Sequence, residues 1–162
     1  MQLGLFSYAL LAGLAIALLV AAFTDMRRRE IDNWLNAAIA LGAPVFWYAS
    51  GFTLLDVGFQ LALATMTFGV LAILFAMGQM GGGDVKLLTV LALWIHPLWF
   101  LRLLVVMAMA GGLMTFAMCL WLRRKRRGER FAVPYGIAIS AAGLWVLGKQ
   151  YAPMLRDSGL LG

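Results

Sequence analysis

The sequence predicts an all-α polytopic membrane protein, a bundle of about six transmembrane helices with the N-terminus outside. Three observations predict it. The first is composition. Of 162 residues, 64% are hydrophobic and 12% are charged, with a mean hydropathy of +0.91; a typical soluble domain carries roughly 25% charged residues. So small a core could not hide that much apolar surface from water. The second is the spacing of the charges, which leaves long uncharged stretches. The third is the uneven distribution of Lys and Arg among the connections. A single Cys excludes a disulfide framework and a Cys-rich zinc module.

A transmembrane helix needs roughly 20 mostly apolar residues to cross about 30 Å of hydrocarbon. Residues 1–24 carry no charge and form the first span. Met1–Tyr8 lacks the basic residues that open a signal peptide, and Arg27-Arg28-Arg29 follow the apolar run. The run therefore reads as an uncleaved helix whose C-terminal end is cytoplasmic. Residues 33–55 and 57–83 give the second and third spans. Residues 87–101, with His96 and Pro97, give a shorter fourth; residues 103–122 and 131–148 give the fifth and sixth. The connections are short, so residues 1–162 read as a single transmembrane domain.

The positive-inside rule orients this bundle. With the N-terminus outside, Arg27–Arg29, Lys86, Arg123–Arg127 (Lys125 among them) and Arg130 fall on the cytoplasmic side, leaving Arg102, Lys149 and Arg156 outside. The net charge of +6 thus reflects topology and anionic lipid. The run Arg123–Arg130 has no aromatic stacking platform, which argues against nucleic acid.

Acidic groups are scarce, and at membrane depth each is costly. Asp56 and Asp157 read as solvated loop residues, and Glu129 as a counter-charge in the basic run. Asp84 follows Gly81-Gly82-Gly83 and opens the short fourth span. A helix from Asp84 to Pro97 rises only about 20 Å. With Pro97 at the outer interface, Asp84 lies inside the inner one. Three glycines permit close backbone approach and positive φ. Irregular backbone at that depth has to face protein or a water-filled cavity. Asp25 ends the first span on the same side. Two carboxylates 59 positions apart thus come to one cytoplasmic rim, and paired carboxylates sharing a proton are the machinery of aspartic proteolysis. The plainer readings stay open here: Asp84 as the N-cap of a glycine-rich turn, and Asp25 as an interfacial residue paired with the arginines. His96 reads as a turn residue and Cys119 as packing. The tryptophans (Trp34, Trp47, Trp94, Trp99, Trp121, Trp145) read as interfacial anchors. No Ser/His/Lys constellation, phosphate loop or metal-ligand spacing occurs, so no metal or cofactor is implied.

At these residues a family resemblance emerges. Gly81-Gly82-Gly83-Asp84-Val85-Lys86-Leu87-Leu88 resembles the GxGD motif of the type IV prepilin peptidases, membrane aspartic proteases. Asp25-Met26-Arg27-Arg28-Arg29-Glu30-Ile31-Asp32-Asn33-Trp34 resembles their other aspartate motif, and Val133-Pro134-Tyr135-Gly136 resembles a Pro-aromatic segment opening the last helix. Asp32 stands where the family usually has Pro. The Cys-rich insert of the larger, N-methylating members is absent. The chain therefore resembles the small peptidase-only branch, as in the tight-adherence (Tad/Cpa, Flp pilus) systems. The resemblance implies an aspartic endopeptidase of the inner membrane that cleaves the leader of a prepilin or pseudopilin at the cytoplasmic face. It implies Asp25 and Asp84 as the catalytic pair, with Gly81, Gly82, Gly83 and Lys86 at the bound substrate. Helix ends assign the roles: Asp84, at a helix N-terminus, starts as base, and Asp25, near a helix C-terminus, starts as acid. The partners expected are the pilin precursor and membrane lipid. The alternatives are a non-enzymatic membrane scaffold and a small proton-coupled transporter, the latter expected to hold its acid near mid-bilayer.

Overall fold

A computed structural model describes residues 4–125 and 135–157. The described residues form six α-helices: α1 (Leu5–Arg28), α2 (Asn33–Ala49), α3 (Leu54–Ala76), α4 (Gly82–Leu91), α5 (Pro97–Lys125) and α6 (Tyr135–Asp157). They contain no strand. The basic run from Arg126 through Arg130, together with Val133, Pro134 and Ser158, lies outside the described residues. Two helices, α1 and α3, are long and apolar enough to cross a membrane.

Glycine and one arginine set the corners. Gly51 (φ 66°) ends α2 and Gly78 (φ 70°) ends α3 in the left-handed conformation. The following amides of Phe52 and Gln79 reach back to the carbonyls of Trp47 and Leu74, both at 3.0 Å. This is the bond pattern of a glycine-terminated helix. Arg29 ends α1 in the same conformation (φ 55°), its amide 2.9 Å from the Asp25 carbonyl. Asp56 is exposed, as expected, but it stands in the first turn of α3 and not in a loop. It closes a capping box on α3, accepting from the Thr53 amide at 2.9 Å while Thr53 Oγ1 accepts from the Asp56 amide at 3.2 Å. At the start of α2, Asp32 has φ −60°, the value a proline ring imposes. The backbone at Asp32 is therefore one that a proline would also adopt.

The short α4 lies at the centre, packed on α2, α3 and α6, while α6 also packs on α1 and α5. Val85, Leu87, Leu88, Val90 and Leu91 are all buried. A helix apolar nearly all round belongs inside a bundle. Ten residues give it about 15 Å, half a bilayer core. The continuous fourth span expected over 87–101 is therefore not what forms. The chain leaves helical geometry at 92–96, and Pro97 opens α5, where a missing amide hydrogen costs nothing. Arg102 consequently sits within α5, its guanidinium 4.3 Å from the Trp99 ring centre, and Lys149 within α6.

The break exposes carbonyls that the rest of the bundle satisfies. Trp47 Nε1 donates to the Leu93 carbonyl at 2.8 Å, and Gln60 Nε2 to those of Leu93 (3.3 Å) and Ile95 (3.1 Å). The Tyr151 hydroxyl donates to the Trp94 carbonyl at 3.2 Å, and Trp94 Nε1 to the Ile39 carbonyl at 2.9 Å. Phe46 stacks on Trp94 with 5.1 Å between ring centres. Trp47 and Trp94 are thus core residues and not interfacial anchors, because their indole N–H groups are spent on buried backbone. Trp34 is exposed at the start of α2, as an anchor would be.

The packing of α3 is inverted relative to a helix in water. Its buried stripe is Gln60, Ala64, Thr67 and Leu71, while Leu55, Phe59, Met66, Val70 and Ile73 face outward. Apolar surface of that extent suits a lipid environment or a protein partner.

Candidate functional site

One cavity of about 340 Å³ opens where α1 ends, α2 begins and α4 begins. Asp25, Gly81, Gly82, Gly83, Asp84 and Lys86 all line it, together with Arg29, Glu30, Ile31 and Asn33. Every site residue expected from the sequence therefore lies in a single wall. The acids that line that wall are Asp25, Glu30 and Asp84, and Asp32 is not among its lining residues. The charges of Asp25 and Asp84 lie within electrostatic reach of each other.

Asp25 occupies the last turn of α1 and is 5% exposed. It is carried there by the helical periodicity of the buried residues Leu11, Leu14, Leu18 and Ala21, which face the same side. Its Oδ2 is buried and lacks a hydrogen-bond partner. A buried carboxyl oxygen without a partner costs free energy and marks a place where a further polar atom belongs.

Asp84 is half-buried in the first turn of α4. It is not the N-cap of that helix, because Gly81 holds that position. Its side chain folds back on the glycine: a Cβ at Gly81 would lie 3.0 Å from Asp84 Oδ2. The neighbouring glycines are explained by packing and not by backbone sign. Positive φ among the described glycines occurs at Gly51 and Gly78, not at 81–83. A Cβ at Gly82 would meet the Phe75 ring at 3.3 Å, and one at Gly83 would meet Ile31 Cβ at 3.3 Å. The glycine run lets α4 seat tightly against α3 and the α1–α2 connection, which brings Asp84 to the cavity.

Lys86 Nζ donates to Asn33 Oδ1 at 2.7 Å. This bond ties the first turn of α4 to the first turn of α2 across the cavity rim.

The sequence did not disclose how α6 enters. Gly136 is buried at its first turn, and a Cβ there would lie 2.7 Å from Asp25 Oδ2 and 2.8 Å from its Cγ. The amides of Gly136 and Ile137 face the Asp25 carboxyl group. Asp25 thus lies at the C-terminal end of α1 and at the N-terminal end of α6, so the helix-end asymmetry between the two acids is lost. Each carboxylate faces a helix N-terminus. The available signal was the Pro134-Tyr135-Gly136 segment, a helix start with a glycine in its first turn.

The fold and the site together define a helical protein with a cavity whose wall carries three carboxylates, the buried Asp25 and half-buried Asp84 together with Glu30. The chain belongs to the type IV leader peptidase family, whose sequence profile matches residues 12–122, a stretch that includes both Asp25 and Asp84. The family establishes a peptidase of the prepilin leader type, membrane-associated and with prepilins as its substrate class. No curated protein and no solved structure matches the chain.

Proposed function

We propose that the protein is an aspartic endopeptidase of the inner membrane that removes prepilin or pseudopilin leaders at the cytoplasmic face, with Asp25 and Asp84 as its catalytic pair. The observation that carries this reading is the meeting of these two carboxylates, from α1 and α4, in the wall of one cavity. Like charges so placed do not both ionise cheaply, so the pair holds one shared proton. The ionised partner takes a proton from a water molecule whose oxygen attacks the scissile carbonyl carbon. The protonated partner gives its proton to the carbonyl oxygen. The tetrahedral diol then collapses: the C–N bond breaks, the leaving amine takes a proton from the pair, and the gem-diol returns one. Water is added across the amide, and the pair regains its single shared proton.

The topology that fits is a single six-helix domain with the N-terminus outside. The basic residues beside α1 and after α5 then face the cytoplasm, as does the cavity. The exposed apolar side chains of α3 support burial in the bilayer. The single cysteine of the sequence fits a peptidase-only enzyme of the tight-adherence type without N-methyltransferase activity.

The test is cleavage of a co-reconstituted pilin precursor, read by mobility shift and by N-terminal sequencing of the product. Asp25→Asn and Asp84→Asn each abolish turnover while inserting normally. Full cleavage by either variant rejects the dyad and favours a scaffold in which both acids are structural.

A further inference from the structure

The buried Asp25 oxygen without a partner and the glycine pressed against it call for one explanation. We propose that the N-terminus of α6 positions the dyad: Tyr135, seated on Gly111 of α5, holds the Gly136 and Ile137 amides against the Asp25 carboxyl group. This rests on the reading of Asp25 as catalytic.

Three observations place these parts. A Cβ at Gly111 would lie 2.6 Å from Tyr135 Cε1, so the tyrosine ring lies directly on the α5 backbone. The Tyr135 hydroxyl is 3.4 Å from Thr115 Oγ1, one turn along the same helix. That two-point seat fixes where α6 starts, since Tyr135 is its first residue. The next residue, Gly136, then meets Asp25 at a distance that no Cβ would tolerate. The first amides of a helix have no partner within it. Here they face a buried carboxyl group that has Oδ2 unpaired, so a small inward movement of α6 would close charge-assisted hydrogen bonds to it. Gly136 and Tyr135 are positioning residues, acting on water and substrate only through Asp25. The charged groups around the carboxyl group are Asp84 and Lys86 from α4 and Arg29 and Glu30 from the end of α1, and none of them is altered in the variants below.

The experiment measures kcat and KM for a pilin precursor across about pH 4–9, using the full chain in proteoliposomes. Gly136→Ala lowers kcat about tenfold or more and leaves KM within about twofold. It also moves the acid limb of the kcat profile to higher pH, because the added methyl group keeps the Gly136 and Ile137 amides from donating to the carboxylate. Tyr135→Ala moves the limb the same way by a smaller amount. It adds no atom beside Asp25, so it carries the test if Gly136→Ala fails to insert. Gly143→Ala is the control within α6. Its Cβ presses on Leu18 Cδ1 at 3.0 Å, which lowers thermal stability and leaves the pH profile unchanged. Wild-type profiles in both Gly136→Ala and Tyr135→Ala, beside an inactive Asp25→Asn, overturn this inference alone. A limb displaced equally by Gly143→Ala also overturns it, since any disturbance of α6 would then suffice. An active Asp25→Asn removes the reading of the dyad as well.

Discussion

Replacing Gln60 with Leu tests whether the bundle's centre is held by side-chain donors to the 92–96 break. Gln60 Nε2 serves two carbonyls, Leu93 at 3.3 Å and Ile95 at 3.1 Å. The Leu93 carbonyl keeps Trp47 Nε1 at 2.8 Å. The Ile95 carbonyl loses its one donor among the described residues. The substitution therefore orphans a single buried acceptor, at a cost of about 1–3 kcal/mol. Interhelical bonds in lipid average only about 0.6 kcal/mol and reach about 1.7, so an expected loss of about 1.5 kcal/mol follows. Trp47→Phe alone leaves Gln60 on the Leu93 carbonyl and costs less than the combined change implies. With both replaced, Leu93 and Ile95 are orphaned together, and the double variant exceeds the sum of the singles by about 1 kcal/mol. The assay is reversible unfolding in mixed micelles with increasing denaturing detergent, followed by far-ultraviolet circular dichroism. Singles that add within about 0.3 kcal/mol, or a Gln60→Leu variant as stable as wild type, would refute the shared-acceptor account.

Three further outcomes are expected. Gly42→Ala places a Cβ 2.8 Å from Trp94 Cζ2 and costs about 1–3 kcal/mol by overpacking, seen as a lowered midpoint in the same titration. Arg29→Gly removes an L-residue from the left-handed conformation and gains about 1 kcal/mol in thermal unfolding. A loss of cleavage in that more stable protein would show that the guanidinium serves the cavity. Lys86→Met and Asn33→Ala both break the 2.7 Å tie across the rim; each lowers kcat/KM for a pilin precursor, and the double variant is no worse than either single. Additive losses would mean that the two residues act separately.

Much of the site was legible because charge is expensive in an apolar chain. Asp25 and Asp84 interrupt long uncharged runs, so each announced itself, and the basic residues beside Asp25 marked the end of α1. The break at 92–96 was not legible. Ala92-Leu93-Trp94-Ile95 is as apolar as the helices around it, and its stabilisation comes from Trp47, Gln60 and Tyr151 on three other helices. No local pattern encodes partners so distant in sequence. Gln60 was the available hint, the one side-chain amide within the stretch that becomes α3. The neighbours that press on the glycine run, Phe75 at Gly82 and Ile31 at Gly83, were not legible either. Composition alone does not tell a neighbouring side chain from a bound peptide. Gly136 escaped because its contact with Asp25 spans 111 positions.

The way α4 is held has a mechanical corollary. Its C-terminal end is clamped by three side chains at the break, and the opposite end, which carries Asp84, is seated where Gly82 and Gly83 press on Phe75 and Ile31 and where Lys86 bonds to Asn33. Between these two supports the helix is about 15 Å long. A pivot of about 5° at the clamp swings the tip by roughly 1.3 Å, a distance on the scale at which misalignment of reacting groups costs about a hundredfold in rate. Loosening the contacts at the Asp84 end would therefore shift that carboxyl group relative to Asp25 and leave intact the hub that keeps the bundle together.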